Sequence, residues 1–139
     1  MTLHLEIISP EKVVFSENVD EVIVPTTTGQ ITVLPQHVAL FTQITPGELI
    51  IKRAGKEDYF AVTGGFLEVA KNKTTILADF AVHSHEIDAV KAEEAKKRAE
   101  KLLAEKISQE DVAVARSELV KSLLELKVAK RRKHHLTTP

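Results

Sequence analysis

Leu3, Leu5 and Ile7 alternate with His4 and Glu6 at the start of the chain, a period of two that gathers apolar side chains on one face of a β-strand. The same period recurs at Val22 and Val24, Leu49 and Ile51, Phe60 and Val62, Leu67 and Val69, and from Thr74 to Ala78. Turn-forming residues interrupt these runs at close spacing: Ser9-Pro10, Ser16-Glu17-Asn18, Thr26 to Gly29, Pro46-Gly47, Ala54-Gly55-Lys56, Gly64-Gly65 and Lys71-Asn72-Lys73. Many short strands, frequent turns and no intervening helical period predict an antiparallel β-sandwich or barrel over residues 1–83. Some runs, such as Ile23-Val24 and Ile50-Ile51, are apolar on both faces, so that one face meets the core and the other is available to a partner.

After residue 83 the spacing of apolar positions changes to three and four. Ala92, Ala95, Ala99, Leu102 and Leu103 predict a helix from about Asp88 to Lys106; Val112, Ala115, Leu119, Leu123 and Leu126 predict a second from about Glu110 to Arg132. The joint is Ile107-Ser108-Gln109-Glu110-Asp111, where Ser108 followed by Asp111 resembles a capping box. The expected architecture is a mainly β domain over residues 1–83 and an α-helical hairpin over residues 84–139. No Gly or Pro stands between Ser84 and Thr138, so nothing covalent forces the break at Ser108. A continuous helix of about 45 residues would reach ~65–70 Å. The hairpin is therefore expected to exchange between a folded and an extended form.

Composition sharpens this division. The 139 residues are 43% hydrophobic but only 4% aromatic, with no Trp, so the core is expected to be aliphatic. The formal net charge of −1 hides an asymmetry: residues 1–83 carry six basic and ten acidic side chains, and residues 84–139 carry thirteen basic and ten acidic. All five glycines fall in the first part, which fits a turn-rich half followed by a helical one. Near-neutral total charge argues against a general nucleic-acid binder. The absence of Cys removes disulfides, thiolate nucleophiles and Cys-ligated metal sites. No apolar run is long enough to span a bilayer, and the first residues do not read as a secretory signal.

Candidate chemistry is sparse. His83 and His85 at the domain joint, and His134-His135 in the basic tail, offer too few convergent ligands for a metal site and read as solvated histidines. Gly64-Gly65 leads into a strand-like run rather than a helix, which marks a tight turn or close backbone packing instead of a phosphate loop. No nucleophile motif is present, and the carboxylates are scattered. The cluster Lys127, Lys130, Arg131, Arg132 and Lys133 exceeds what one helix terminus needs and points to an acidic protein surface.

Four segments in register carry a family resemblance: Gly29 to His37 (GQITVLPQH), Pro46-Gly47-Glu48-Leu49, Gly64 to Val69 (GGFLEV) and Thr74 to Asp79 (TTILAD). With the helical end from Ile87-Asp88 onward, the chain resembles the bacterial epsilon subunit of F-type ATP synthase. The resemblance implies a sandwich of about ten strands followed by a two-helix hairpin. It implies a non-catalytic central-stalk subunit joining the gamma subunit to the c-ring, held at the cytoplasmic side of the cell membrane only through the complex. It places Gln30, Ile31 and His37 toward the polar loops of the c-ring, with Gln30 where some members have Glu. It lets the helical arm extend toward the alpha/beta catalytic head and block ATP hydrolysis, with Arg98, Arg116, Lys121, Lys127, Lys130, Arg131 and Arg132 as contacts. Some members also bind ATP on the folded hairpin through an Ile/Leu-Asp-x-x-Arg-Ala motif. Here that stretch reads Ile87-Asp88-Ala89-Val90-Lys91-Ala92, leaving Asp88, Lys91 and Arg98 as matching or near-matching positions. An approximate alignment puts Val82, Leu123 and Lys127 where an acidic residue and two arginines are expected. Lys does not reproduce the arginine fork toward phosphate. No cofactor or metal is implied. The readings from other classes are a nucleotide-sensing hairpin and a free-standing sandwich adaptor with a coiled-coil tail, the latter lacking four sustained heptads.

Overall fold

The computed structural model describes the chain except residues 106, 107, 138 and 139, and only the backbone from 132 to 137. It separates into two compact units, Met1–His83 and Ser84–Pro139.

The first unit holds ten strands: β1 (Leu3–Ile8), β2 (Val13–Val19), β3 (Glu21–Thr26), β4 (Gly29–Val33), β5 (Leu40–Ile44), β6 (Gly47–Arg53), β7 (Lys56–Val62), β8 (Gly65–Ala70), β9 (Lys73–Ala78) and β10 (Ala81–His83). They form one continuous ladder in the order β10-β7-β6-β3-β5-β8-β9-β1-β2, with β4 paired to β3. β3 meets β5 only at Thr26 and Ile44, and the sheet turns there into two layers. The β1–β9 pair is parallel, and the other pairs are antiparallel. Alternation decides which side chains enter: Leu3, Leu5 and Ile7 of β1, Val22 and Val24 of β3, Leu67 and Val69 of β8, and Ile76 of β9 are all buried. The core is aliphatic but for Phe60, whose ring takes Phe15 edge-on at 5.7 Å from β2 and so ties the two layers together. Each fully buried Leu, Ile or Val contributes about 1.5–3 kcal/mol through the apolar surface it removes from water.

Ser16-Glu17-Asn18, expected as a turn, lies inside β2. Its polar residues occupy an edge strand whose outer side faces water, where polarity is compatible with pairing. The opening of β8 is a glycine requirement: Gly64 and Gly65 have φ of 136° and 137°. His83 is half-buried rather than solvated. Its Nε2 lies 3.3 Å from Asp58 Oδ1, and its ring packs edge-on against Phe60 at 4.7 Å. His85 is exposed.

The second unit contains a short 3-10 turn, Ser84–Glu86, and two helices, α1 (Ala89–Ala104) and α2 (Gln109–Thr137). α1 starts one residue later than expected because Asp88 is its cap: the carboxylate accepts the N–H groups of Val90 and Lys91 at 3.0 and 3.1 Å. α1 ends at Ala104, earlier than expected, and Lys106 and Ile107 lie outside the described residues. Ser108 caps α2, its Oγ accepting the Asp111 N–H at 3.2 Å. α2 runs five residues past the expected end at Arg132, so it is about 43 Å long against ~24 Å for α1.

The packed stripe of α2 is Val112, Ala115, Leu119, Ser122, Leu126 and Ala129, an alternating three-four spacing. Leu123, expected on this stripe, is 46% exposed because the stripe steps from Leu119 to Ser122. Leu102 is likewise exposed, whereas Leu103 is partly buried. Ala92 and Ala99 are the fully enclosed positions of α1. Ser122, buried in this stripe, satisfies its hydroxyl by donating to the Glu118 carbonyl at 2.8 Å.

Candidate docking surfaces

Strand register assembles a surface that the linear sequence disperses. Ile8 faces Val13 on one side and Leu77 on the other; Leu77 faces Phe66, and Phe66 faces Gln43. Directly paired residues share a face of the sheet. The outer face therefore carries an apolar row, Val13–Ile8–Leu77–Phe66, across β2, β1, β9 and β8. At about 4.8 Å per strand the row spans ~14 Å. A register shift between Ile7 and Ile8, where Phe15 and then Val13 oppose successive residues of β1, brings Val13 into it. Phe41, diagonal to Phe66, stacks on it with centroids 5.5 Å apart and planes at 16°. Phe41 is 65% exposed, Val13 59%, Phe66 45% and Leu77 44%. Aromatic and aliphatic residues kept in water on a rigid sheet mark a protein interface.

The next rows on this face are polar. Ser16, Glu6, Thr75 and Glu68 lie side by side, and Glu68 faces Phe41. His4 is held at both ring nitrogens, by Asn18 Oδ1 at 3.0 Å and Ser16 Oγ at 3.3 Å, while Lys73 Nζ lies 3.6 Å from Glu6 Oε2. The arrangement is an apolar centre beside a polar rim. The runs apolar on both faces, Ile23-Val24 and Ile50-Ile51, lie on β3 and β6 outside this row, which depends on the register that no single strand reveals.

Of the positions assigned to the c-ring, Gln30 and Ile31 are consecutive on β4 and so point to opposite sides: Gln30 is exposed and Ile31 packs against the core. His37 follows in a turn, with its N–H donated to the Leu34 carbonyl at 3.1 Å and its Nδ1 2.7 Å from the Val38 carbonyl. Asn72 fixes this turn from a distance in sequence. Its Oδ1 accepts the Gln36 N–H and its Nδ2 donates to the Thr2 carbonyl, both at 2.9 Å. Gln36 and Asn72 both adopt positive φ, of 68° and 60°.

In the hairpin, Lys91, Ala92, Ala95 and Arg98 of α1 face Glu118, Lys121, Ser122 and Glu125 of α2 across a groove of about 230 Å³. The structure thus brings Lys91, Arg98 and Lys121 together. Asp88 is engaged as the α1 cap and is not part of the lining. Leu123 and Lys127, placed by alignment at two arginine positions, are not part of it either, because the groove stripe of α2 runs through 118, 121, 122 and 125. A second groove of about 500 Å³ continues along Ala95, Arg98, Ala99 and Leu102 of α1, opposite Asp111, Val114, Ala115 and Glu118. Arg116, Lys127, Lys130 and Arg131 are exposed on α2, and the Arg132 side chain lies outside the described residues.

Comparison with known proteins follows the same two-part division. Residues 2–84 match the family model "ATP synthase, Delta/Epsilon chain, beta-sandwich domain", and residues 85–130 match the "long alpha-helix domain" of the same chain. The ATP synthase epsilon chain of Herpetosiphon aurantiacus is 42% identical over 134 residues, covering 96% of this chain and 98% of its own. The chain belongs to the ATP synthase epsilon-chain family. A second epsilon chain, from Chloroflexus aggregans, is 43% identical over 129 residues and covers 93% of both chains. As an epsilon chain the protein is a non-catalytic subunit of its complex, and the sandwich-plus-hairpin architecture is that of its family. The fold also matches a chain in the mitochondrial ATP synthase of Euglena gracilis, with TM-score 0.66 at 22% identity over 97% of this chain and 81% of that one. A chain in the central stalk/c-ring structure of the Tetrahymena thermophila mitochondrial ATP synthase gives 0.60 at 17% identity, covering 93% and 97%.

Proposed function

We propose that this epsilon chain couples the gamma subunit to the c-ring in the central stalk during ATP synthesis driven by a transmembrane ion gradient, and restrains ATP hydrolysis through its helical arm. Its place is peripheral, on the cytoplasmic side of the cell membrane, attached through the complex; no described helix is long and apolar enough to cross a membrane. The exposed row around Phe41 and Phe66 is the surface offered to gamma. The Gly29–His37 segment, with exposed Gln30 and the braced His37 turn, is the surface offered to the polar c-ring loops.

The observation that carries the inhibitory half is the composition of the hairpin seam. Apart from Val128, its most enclosed positions are Ala92, Ala99, Ala115 and Ser122, side chains that hold two helices close while burying little apolar surface. Separation of the helices is correspondingly cheap, and neither Gly nor Pro prevents them from joining into one. In the extended arm, Arg98, Arg116, Lys121, Lys127, Lys130, Arg131 and Arg132 meet acidic surfaces of the alpha/beta head. The test is reconstitution of the complex with and without residues 88–139. Truncation is expected to raise ATP hydrolysis severalfold with assembly retained; unchanged hydrolysis would refute the inhibitory role.

The second reading, ATP held on the folded hairpin, draws support from the convergence of Lys91, Arg98 and Lys121. Glu118 and Glu125 line the same groove and oppose the triphosphate. Regulation without nucleotide is therefore the reading adopted.

A further inference from the structure

Glu125 stands in the groove between the two helices, on the turn of α2 that also carries Lys121 and Ser122. The charged groups that line the groove with it are Lys91 and Arg98 from α1, and Glu118 and Lys121 from α2. The 3-10 turn, which also packs against α2, carries His85 and Glu86, both exposed and outside the groove lining. Glu125 is half-buried in this groove, on the stripe of α2 that faces α1. In an extended arm the covering helix is gone and the carboxyl stands in water.

We propose that closure of the hairpin is proton-linked through Glu125, the folded arm taking up a proton that the extended arm releases. The inference rests on the movable-arm reading above and gives that arm a chemical input. Burial pushes the Glu125 carboxyl above its ordinary range; Lys121 pulls it back in part, and Glu118 pushes it further up. The closed state holds its proton to a higher pH than the open state, so protonation favours closure. That contribution is complete below the ordinary carboxyl range and is lost as pH rises through the raised value. Acidification therefore folds the arm and alkalinity frees it.

The full chain contains no Cys, so a pair of spin labels introduced by Glu94→Cys and Val120→Cys reports arm closure without background. Both positions are exposed. The two helices of a closed hairpin run with axes ~8–10 Å apart, whereas a continuous helix separates the two positions by ~39 Å along its axis. The ratio of short to long distances is expected to rise severalfold when pH falls from about 7.5 to about 4.5. Glu125→Gln is expected to abolish that dependence, and Glu118→Gln to retain most of it. A pH dependence of equal size in Glu125→Gln would overturn the proton link, as would a mixed population insensitive to pH. A single short distance in every variant at every pH would overturn the movable arm itself.

Discussion

At Gly65 a methyl group would have nowhere to go. A Cβ built there lies 2.0 Å from the Leu77 carbonyl oxygen and 2.9 Å from the Ala78 Cα, both backbone atoms of β9. The residue also sits at φ 137°, a conformation that L side chains rarely adopt. Neither neighbour can turn aside as a flexible side chain would, because both belong to the backbone of β9, which pairs with β8 here and is bonded beside this pair by the Asp79 N–H donating to the Gly64 carbonyl at 3.0 Å. Gly65→Ala is therefore expected to destabilise the sandwich by about 3 kcal/mol or more, combining backbone strain with overpacking. For a domain of this size that lowers the melting temperature by roughly 12 °C or more, readable by thermal circular dichroism. Gly29 and Gly55 share a positive φ but have open space at Cβ, so alanine there meets strain without a clash.

At the scale of the elements, the stripes of α2 decide what the hairpin can hold. Side chains three and four apart share a helix face, so 118, 121, 122 and 125 line the groove while 123 and 127 point elsewhere. Of the two positions that an alignment would assign to arginine, neither reaches the groove, and Glu125 brings a carboxylate into it. Lys91 adds a point charge without the planar fork that grips two phosphate oxygens. Titration of the full chain with ATP is accordingly expected to leave the Glu94–Val120 label distances unchanged; ATP-induced shortening would restore the nucleotide-sensing reading. Most of the strands, the hairpin joint and the Ser108 cap were legible from the chain, because period, turn residues and a Ser followed three residues later by an acidic residue are local signals; β2 and the Asp88 cap were not, since Ser16-Glu17-Asn18 reads as a turn and Asp88 as the first helical residue. The stripe that passes through Ser122 was not, since Leu123 is the more apolar neighbour and only packing shows which of the two turns inward. Likewise Asn72 reads locally as a turn residue, and its brace on Gln36 and Thr2 follows from strands that meet far apart in sequence.

For the whole molecule, the proposed coupling and regulatory roles ask how a non-catalytic subunit would transmit force and respond to it. A rigid ladder of ten strands is suited to the first task, and an arm with a lightly packed seam to the second. Attachment then falls to the surface of the ladder, where Val13, Ile8, Leu77, Phe66 and Phe41 gather into one apolar patch flanked by Glu6 and Glu68. None of the four exposed members Phe41, Phe66, Leu77 and Val13 belongs to the buried core, so the fold tolerates the loss of the two rings; the Phe41–Phe66 stack is worth only about 0.5–1.5 kcal/mol. An interface centred on them is far more sensitive, because central aromatic residues carry about 2 kcal/mol or more each. The double variant Phe41→Ser/Phe66→Ser is therefore expected to keep its circular dichroism and lose at least roughly thirtyfold in affinity for gamma in a pull-down or calorimetric titration. Val90→Ser, at an equally exposed position on α1, is the control and should bind as the parent does. Equal binding by the double variant would move the gamma surface off this face, leaving the ladder intact but its outer row without a partner.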